Sequence, residues 1–301
     1  MSAHSVELHE SITETQLECG GYSTRILLAG PADAEPVLLL HDGAWGGSAD
    51  VSWEYVIPEL ARDRRVIAPD LLGFGGSDKI VFLDRSPHSF RIKHIASVLA
   101  ELGVRAPVDV VGNSFGGATG LRALAGPDTF PIRSLVSIAG TGGGWRTEKS
   151  LGELGEWDGT REDLARIAAL LVDTDTAHFE SYLDRRLHWA SQSGHARSVL
   201  APAIKIPHHL RSKVEDSWPD QLRGITTPTL LVRCARDVLL FPEWADRVAE
   251  ALVDARIVEV DHLHAPNLDR PDEVVSVVRD FWREVADGRP ASSPADPARA
   301  S

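Results

Sequence analysis

The chain is sparing with sulfur: its 301 residues include two cysteines and one methionine. Cys19 and Cys234 could form at most one bridge, and neither stands at a metal-site spacing. A disulfide-built fold and a cysteine metal centre are therefore excluded, and both residues read as free thiols, Cys234 within an apolar strand pattern. Positive charge is also scarce. Lys and Arg number 31 against 44 Asp and Glu, a net charge of −13 at pH 7. Nucleic acid and an anionic membrane surface would both be repelled, so neither is expected as a partner. No run approaches the roughly 18 consecutive apolar residues of a membrane helix. Glu7, Glu10, Glu14 and Glu18 stand where a signal peptide would carry a basic and then an apolar stretch, so a cytoplasmic location is expected.

What remains is ordinary globular composition, 43% hydrophobic and 25% charged, with enough chain for one or two domains. Short β-branched and leucine runs alternate with helical patterns, the grammar of an α/β protein with a mostly parallel sheet. Strands are expected at 37–40, 65–69, 108–112, 132–138, 229–232 and 255–260. Ile95, Val98, Leu99 and Leu102 recur as one helical face, as do Trp244, Val248, Ala251 and Leu252, and also Val274, Val277, Val278 and Phe281. Between about Gly142 and Arg223 the alternation stops, with helical patterns at 161–171 and 178–190 and no strand. The expected division is a core at 1–141 and 223–286, an inserted helical cap at 142–222, and a Pro-, Ala- and Ser-rich disordered tail at 287–301.

The sharpest local signal is Gly112-Asn113-Ser114-Phe115-Gly116, directly between a strand and an apolar helical stretch. Such a turn holds its serine in a strained, exposed position, and the glycines let the chain pass close to its neighbours. A serine hydroxyl needs a base to take its proton, and that base needs a carboxylate. The order Ser, acid, His is met by Asp237, after the strand at 229–232, and by His264, after the strand at 255–260. Both lie just beyond strand carboxyl ends, where sites in open α/β sheets gather. Counting back from Pro242 would put Val238 at the acid position, while counting forward from Thr229 gives Asp237. His262 and His264 form an H-x-H pair, but no second cluster of ligands accompanies it, and no metal or other cofactor is expected. Gly140–Gly144 lacks both the third glycine of a dinucleotide fingerprint and the lysine of a phosphate loop.

His41-Asp42-Gly43, the run Asp70-Leu71-Leu72-Gly73-Phe74-Gly75-Gly76-Ser77-Asp78, the serine turn, Asp237 and His264 together resemble the α/β-hydrolase superfamily from about Tyr22 to Trp282. Within it, Gly112–Leu121, Val56-Ile57-Pro58 and Arg186 are most similar to the meta-cleavage-product hydrolases, which cut C–C bonds in vinylogous 1,5-diketones. The resemblance implies an α/β-hydrolase fold, Ser114 as nucleophile, His264 as base, Asp237 as its orienter, and an oxyanion hole from the backbone N–H groups of Gly43 and Phe115. It further implies a small-molecule substrate contacted by Asn113, Arg186, Ala44 and Ala265, with Arg186 gripping a carboxylate, and allows a homodimer. The neighbouring Arg185 competes for the inward position. The chain departs from that family at Asp42, usually glycine, at Ser52, near an expected asparagine, at Leu263, usually glycine, and at Ala265, usually tryptophan. The departures at Ser52 and Ala265 favour the alternative of a carboxylesterase or lactonase acting on an aromatic or polyketide-like ester. A receptor that binds without turnover is the remaining alternative.

Overall fold

The computed structural model describes residues 8–126, 129–201 and 216–288. The tail expected to be disordered lies outside them, apart from Asp287 and Gly288, as does the pair His208-His209 in the expected cap.

Eight strands form one sheet: β1 (Thr13–Cys19), β2 (Tyr22–Ala29), β3 (Pro36–Leu40), β4 (Arg65–Pro69), β5 (Val108–Asn113), β6 (Ile132–Ile138), β7 (Thr229–Cys234) and β8 (Ala255–Val260). Their spatial order is β1-β2-β4-β3-β5-β6-β7-β8. From β4 to β8 every neighbouring pair is parallel. Parallel strands covered by helices on both faces must be apolar throughout, and every residue of β3 and β5 is buried. Buried apolar stretches of this kind make β3 and β5 the plainest of the strands in the sequence.

β1 and β2 are not visible in that way. They form an antiparallel hairpin at the sheet edge, closed by Gly20 and Gly21 with φ of +60° and +85°. A two-residue turn with both φ values positive calls for glycine, so Gly20-Gly21 is the signal that would have found it. The strand β1 shows only a weak alternation, with Glu14, Gln16 and Glu18 facing solvent, as suits an edge.

The loop after β4 is tied to Asp70, whose buried carboxylate accepts from Ala49 N at 2.6 Å, Gly76 N at 2.7 Å and Arg25 Nη1 at 3.1 Å. A Cβ on Gly75 would come within 2.0 Å of Asp70 Oδ2, so this glycine-rich run is a fold clasp.

Between β6 and β7 the described residues contain helices, Glu148–Leu151, Arg161–Ala168, Phe179–Ala190 and His195–Leu200, and no strand. Thr160 starts the second of them by accepting a hydrogen bond from Asp163 N. Leu164, Ile167, Tyr182 and Leu183 from these helices pack with Ala44 and Trp45, which follow β3, and with Ala265 and Leu268, which follow β8. The helical segment is thereby seated on loops at the carboxyl ends of the strands. No helix among the described residues is long and apolar enough to cross a membrane.

Candidate active site

Ser114 links β5 to the helix Phe115–Ala125 with φ 53° and ψ −115°, a conformation that costs a non-glycine residue on the order of 1–3 kcal/mol. Two backbone bonds hold it there: Ser114 N–H donates to Ile138 O at 2.8 Å, and Ser114 O accepts from Ala118 N at 2.8 Å. A Cβ on Gly116 would lie 2.0 Å from Leu40 O, and one on Gly112 would lie 2.5 Å from Gly116 C. Any other residue at either position would push β3, β5 and the helix apart, and the turn would lose its shape. The serine itself is only half-buried.

The residues that follow β7 and β8 meet it. His264 Nε2 lies 2.7 Å from Ser114 Oγ, and His264 Nδ1 lies 2.7 Å from Asp237 Oδ2. The acid can only accept, so Nδ1 carries the proton, and Nε2 is left to accept from the serine hydroxyl. Asp237 Oδ1 accepts from Leu239 N at 2.8 Å, which fixes the carboxylate plane. The competing position Val238 is exposed and takes no part. His262 points elsewhere, 2.8 Å from Asp269 and 3.7 Å from Asp173. These three could present ligand atoms within 4.8 Å of one another, but Arg236 already holds both oxygens of Asp173, at 3.1 and 2.8 Å. Burial lowers the basicity of His262, and the bond to Asp269 more than restores it. The trio is an ion-pair cluster beneath the histidine loop.

The expected oxyanion donors adjoin each other beside the serine. Phe115 is the first helical residue, so its N–H has no partner within the helix. A Cβ on Gly43 would sit 2.8 Å from Phe115 Cβ, so glycine lets the loop after β3 approach that helix start.

The other expected contact residues sit differently from what the resemblance implies. Asn113 is fully buried, and its amide donates to His264 O at 3.0 Å and Ile138 O at 3.3 Å, so it holds the histidine loop. Ala44 and Ala265 are buried in the apolar cluster of the helical segment, and Ala265 N donates to Leu171 O at 2.9 Å. Arg186 is the inward arginine and has no exposed surface. Its guanidinium donates to Asp42 Oδ2 at 2.7 Å, to Trp45 O at 2.6 Å and to the Tyr182 hydroxyl at 2.5 Å. It is neither a solvated helix residue nor a free carboxylate clamp. Arg185 is also mostly buried, paired with Glu54 beside Tyr55.

Asp42 is the residue whose role the sequence did not disclose. Its Oδ2 also accepts from Ser52 Oγ at 2.9 Å, and its Oδ1 accepts from Ala44 N at 2.9 Å. Burial alone would raise this carboxyl, but the Arg186 guanidinium overrides it and holds Asp42 below the usual carboxylate range. Asp42 and Ser52 are two of the four departures from the family pattern, and both serve one network with Arg186. Their joint occurrence was the available signal. Nearby, Gly46 N donates to His195 Nε2 at 2.9 Å, and burial lowers His195 to about 4, which keeps it neutral. Trp45 Nε1 donates to Gly155 O, and its ring lies 5.0 Å from that of Trp157.

Comparison with known proteins agrees with this geometry. The chain is 26% identical over 284 residues to a 2-hydroxy-6-oxo-6-(2'-aminophenyl)hexa-2,4-dienoic acid hydrolase of Metapseudomonas resinovorans, covering 94% of this chain and 95% of that one. A 2-hydroxy-6-oxo-2,4-heptadienoate hydrolase of Pseudomonas putida is 39% identical over 125 residues, 41% of this chain and 43% of its own. Among solved structures, a serine hydrolase involved in carbazole degradation superposes with a TM-score of 0.74 at 25% identity, over 90% of this chain and 99% of that one. The model of the Alpha/beta hydrolase family matches residues 37–277. With the strained serine turn, the sheet order and the Ser–His–Asp contacts in agreement, the chain belongs to the alpha/beta hydrolase family.

Proposed function

We propose that this hydrolase cleaves a C–C bond next to a carbonyl in a vinylogous diketone-like small molecule. The observation that carries the reading is the unbroken contact from Ser114 through His264 to Asp237, in a chain alignable along nearly its whole length with a dienoic acid hydrolase. In this reading Ser114 Oγ gives its proton to His264 Nε2 and bonds to the carbonyl carbon. The resulting oxyanion is met by the N–H groups of Phe115 and Gly43, donors worth about 2.7–4 kcal/mol each. The dienol is ketonised before this attack, so collapse breaks the C–C bond and its electron pair passes through the alkene to the far carbonyl oxygen. The dienolate that leaves takes up the proton held by His264. Water then repeats the sequence, with its proton passing through His264, and releases the acid. Asp237 keeps the imidazole in the working tautomer and stabilises its cation. The helices of 142–222 act as a cap over a core of 1–141 and 223–286.

A second reading, hydrolysis of a neutral carboxylic ester, is favoured by one observation: Asp42 already occupies Arg186. Both readings use the same relay. Assaying 2-hydroxy-6-oxo-6-phenylhexa-2,4-dienoate and its methyl ester beside a p-nitrophenyl ester panel separates them. The C–C reading expects kcat/KM on a ketonic substrate to exceed the best ester. An ester advantage of about 100-fold or more would transfer the assignment to the second reading.

A further inference from the structure

Asp42 stands one residue before Gly43, whose backbone packs against Phe115 at the serine turn. A full negative charge is thus built into the loop that borders the reacting carbonyl. It is fully buried, and so is its partner Arg186. The guanidinium spends Nε, Nη1 and Nη2 on Tyr182, Trp45 O and Asp42, so all three of its nitrogens are committed to protein acceptors. A Cβ on Gly46 would fall 2.1 Å from Arg186 O, so loop and helix are in direct contact.

The two histidines nearest this loop add no charge to it. His41 and His195 are held neutral by burial, and their Nε2 atoms accept from Leu71 N and Gly46 N. Arg91, beside the Phe115 ring, donates Nε to Leu72 O and Nη1 to Pro87 O and has no carboxylate beside it. An anion that seeks Arg186 would meet a cation already neutralised by Asp42. The pair gives it no net attraction to offset the cost of leaving water.

We propose that Asp42 is a specificity-determining residue: a built-in carboxylate that saturates Arg186 and restricts the site to substrates carrying no carboxylate at the end that meets the oxyanion loop. The class is then a neutral ketonic compound or, under the second reading, a neutral acyl ester. The inference rests on Ser114 hydrolysis but not on which of the two bonds is cut.

The test uses two matched pairs on the wild-type protein: p-nitrophenyl pentanoate against mono-p-nitrophenyl glutarate, and the methyl ester of the phenyl dienoate against the dienoate itself. Each rate is corrected for its uncatalysed rate. The neutral member should lead by about tenfold or more in kcat/KM; parity or a lead for the charged member overturns the proposal. If neither dienoate compound is cleaved, the C–C reading falls and the ester pair alone decides the effect of charge. Asp42→Asn should narrow the ratio about fivefold or more, chiefly through KM for the charged member. An unchanged ratio in a variant with wild-type circular dichroism removes Asp42 from the role. Should this variant fail to fold, the wild-type ratios decide.

Discussion

Asp237 and Asp42 each lie 2.7 Å from a basic nitrogen, on His264 in one case and on Arg186 in the other, yet their surroundings give them opposite work. The first pair ends at a half-buried serine, and its base is an imidazole, which can take up and return a proton. The second is sealed under the loop after β3, and guanidinium does not release its proton. In the proposed mechanism one pair moves a proton; the other locks a helix to a loop. The comparison teaches that a short acid–base contact carries no function by itself. The titration range of the base and its access to a reacting atom decide.

The largest effect should come from breaking the first pair's line to the serine. Ser114→Ala is expected to lower kcat by about 10⁴–10⁶-fold with the thermal midpoint little changed, and Asp237→Asn by about 10⁴-fold. Asp261→Asn, at a highly exposed position, should stay within about twofold of wild type. Steady-state kinetics on one substrate orders all three, and comparable losses at Asp261 and Asp237 would undo the assignment of the acid.

Breaking the second pair should instead appear in stability. Arg186→Met leaves Asp42 buried and uncompensated and is expected to cost about 3–5 kcal/mol in urea unfolding, while the double change with Asp42→Asn should recover much of that loss. Additive losses in the double variant would mean that the two charges do not act as a pair.

A pH dependence also sharpens the contrast between working and sealed groups. Burial lowers His88 to about 3 and His94 and His195 to about 4, against an ordinary 6.5. Below pH 6.5 the unfolded chain takes up protons at these sites before the folded one does. Stability must therefore fall as pH drops from about 6.5 toward 4, each ring contributing on the order of 3 kcal/mol. Thermal midpoints across that range should decline, and His94→Asn should flatten the slope; a level wild-type profile would contradict the sealed state of these rings.

Much of this is legible without coordinates, for specific reasons. The inner strands β3, β5 and β7 announce themselves because burial on both faces favours apolar runs, while the partly buried edge strand β8 is marked by its Val and Ile residues. The edge hairpin does not, since one face of β1 is wet and its turn rests on two glycines that could serve many purposes. The serine turn is readable because steric exclusion at Gly112 and Gly116 leaves a fixed spacing. Arg186 misleads because a sequence cannot show which partner a guanidinium has taken. Asn113 reads as a substrate contact, whereas its amide holds the loop of His264, a contact between residues 151 positions apart.

Sequence alone determined the strand–helix alternation and picked out Ser114, Asp237 and His264, which the fold brings together, since local pattern and chain order restrict each of them. Only the tertiary structure decided that Asp42 answers Arg186, because a buried cation selects its counter-charge by proximity in space. The residues that meet there are 144 positions apart, and nothing local ties one to the other.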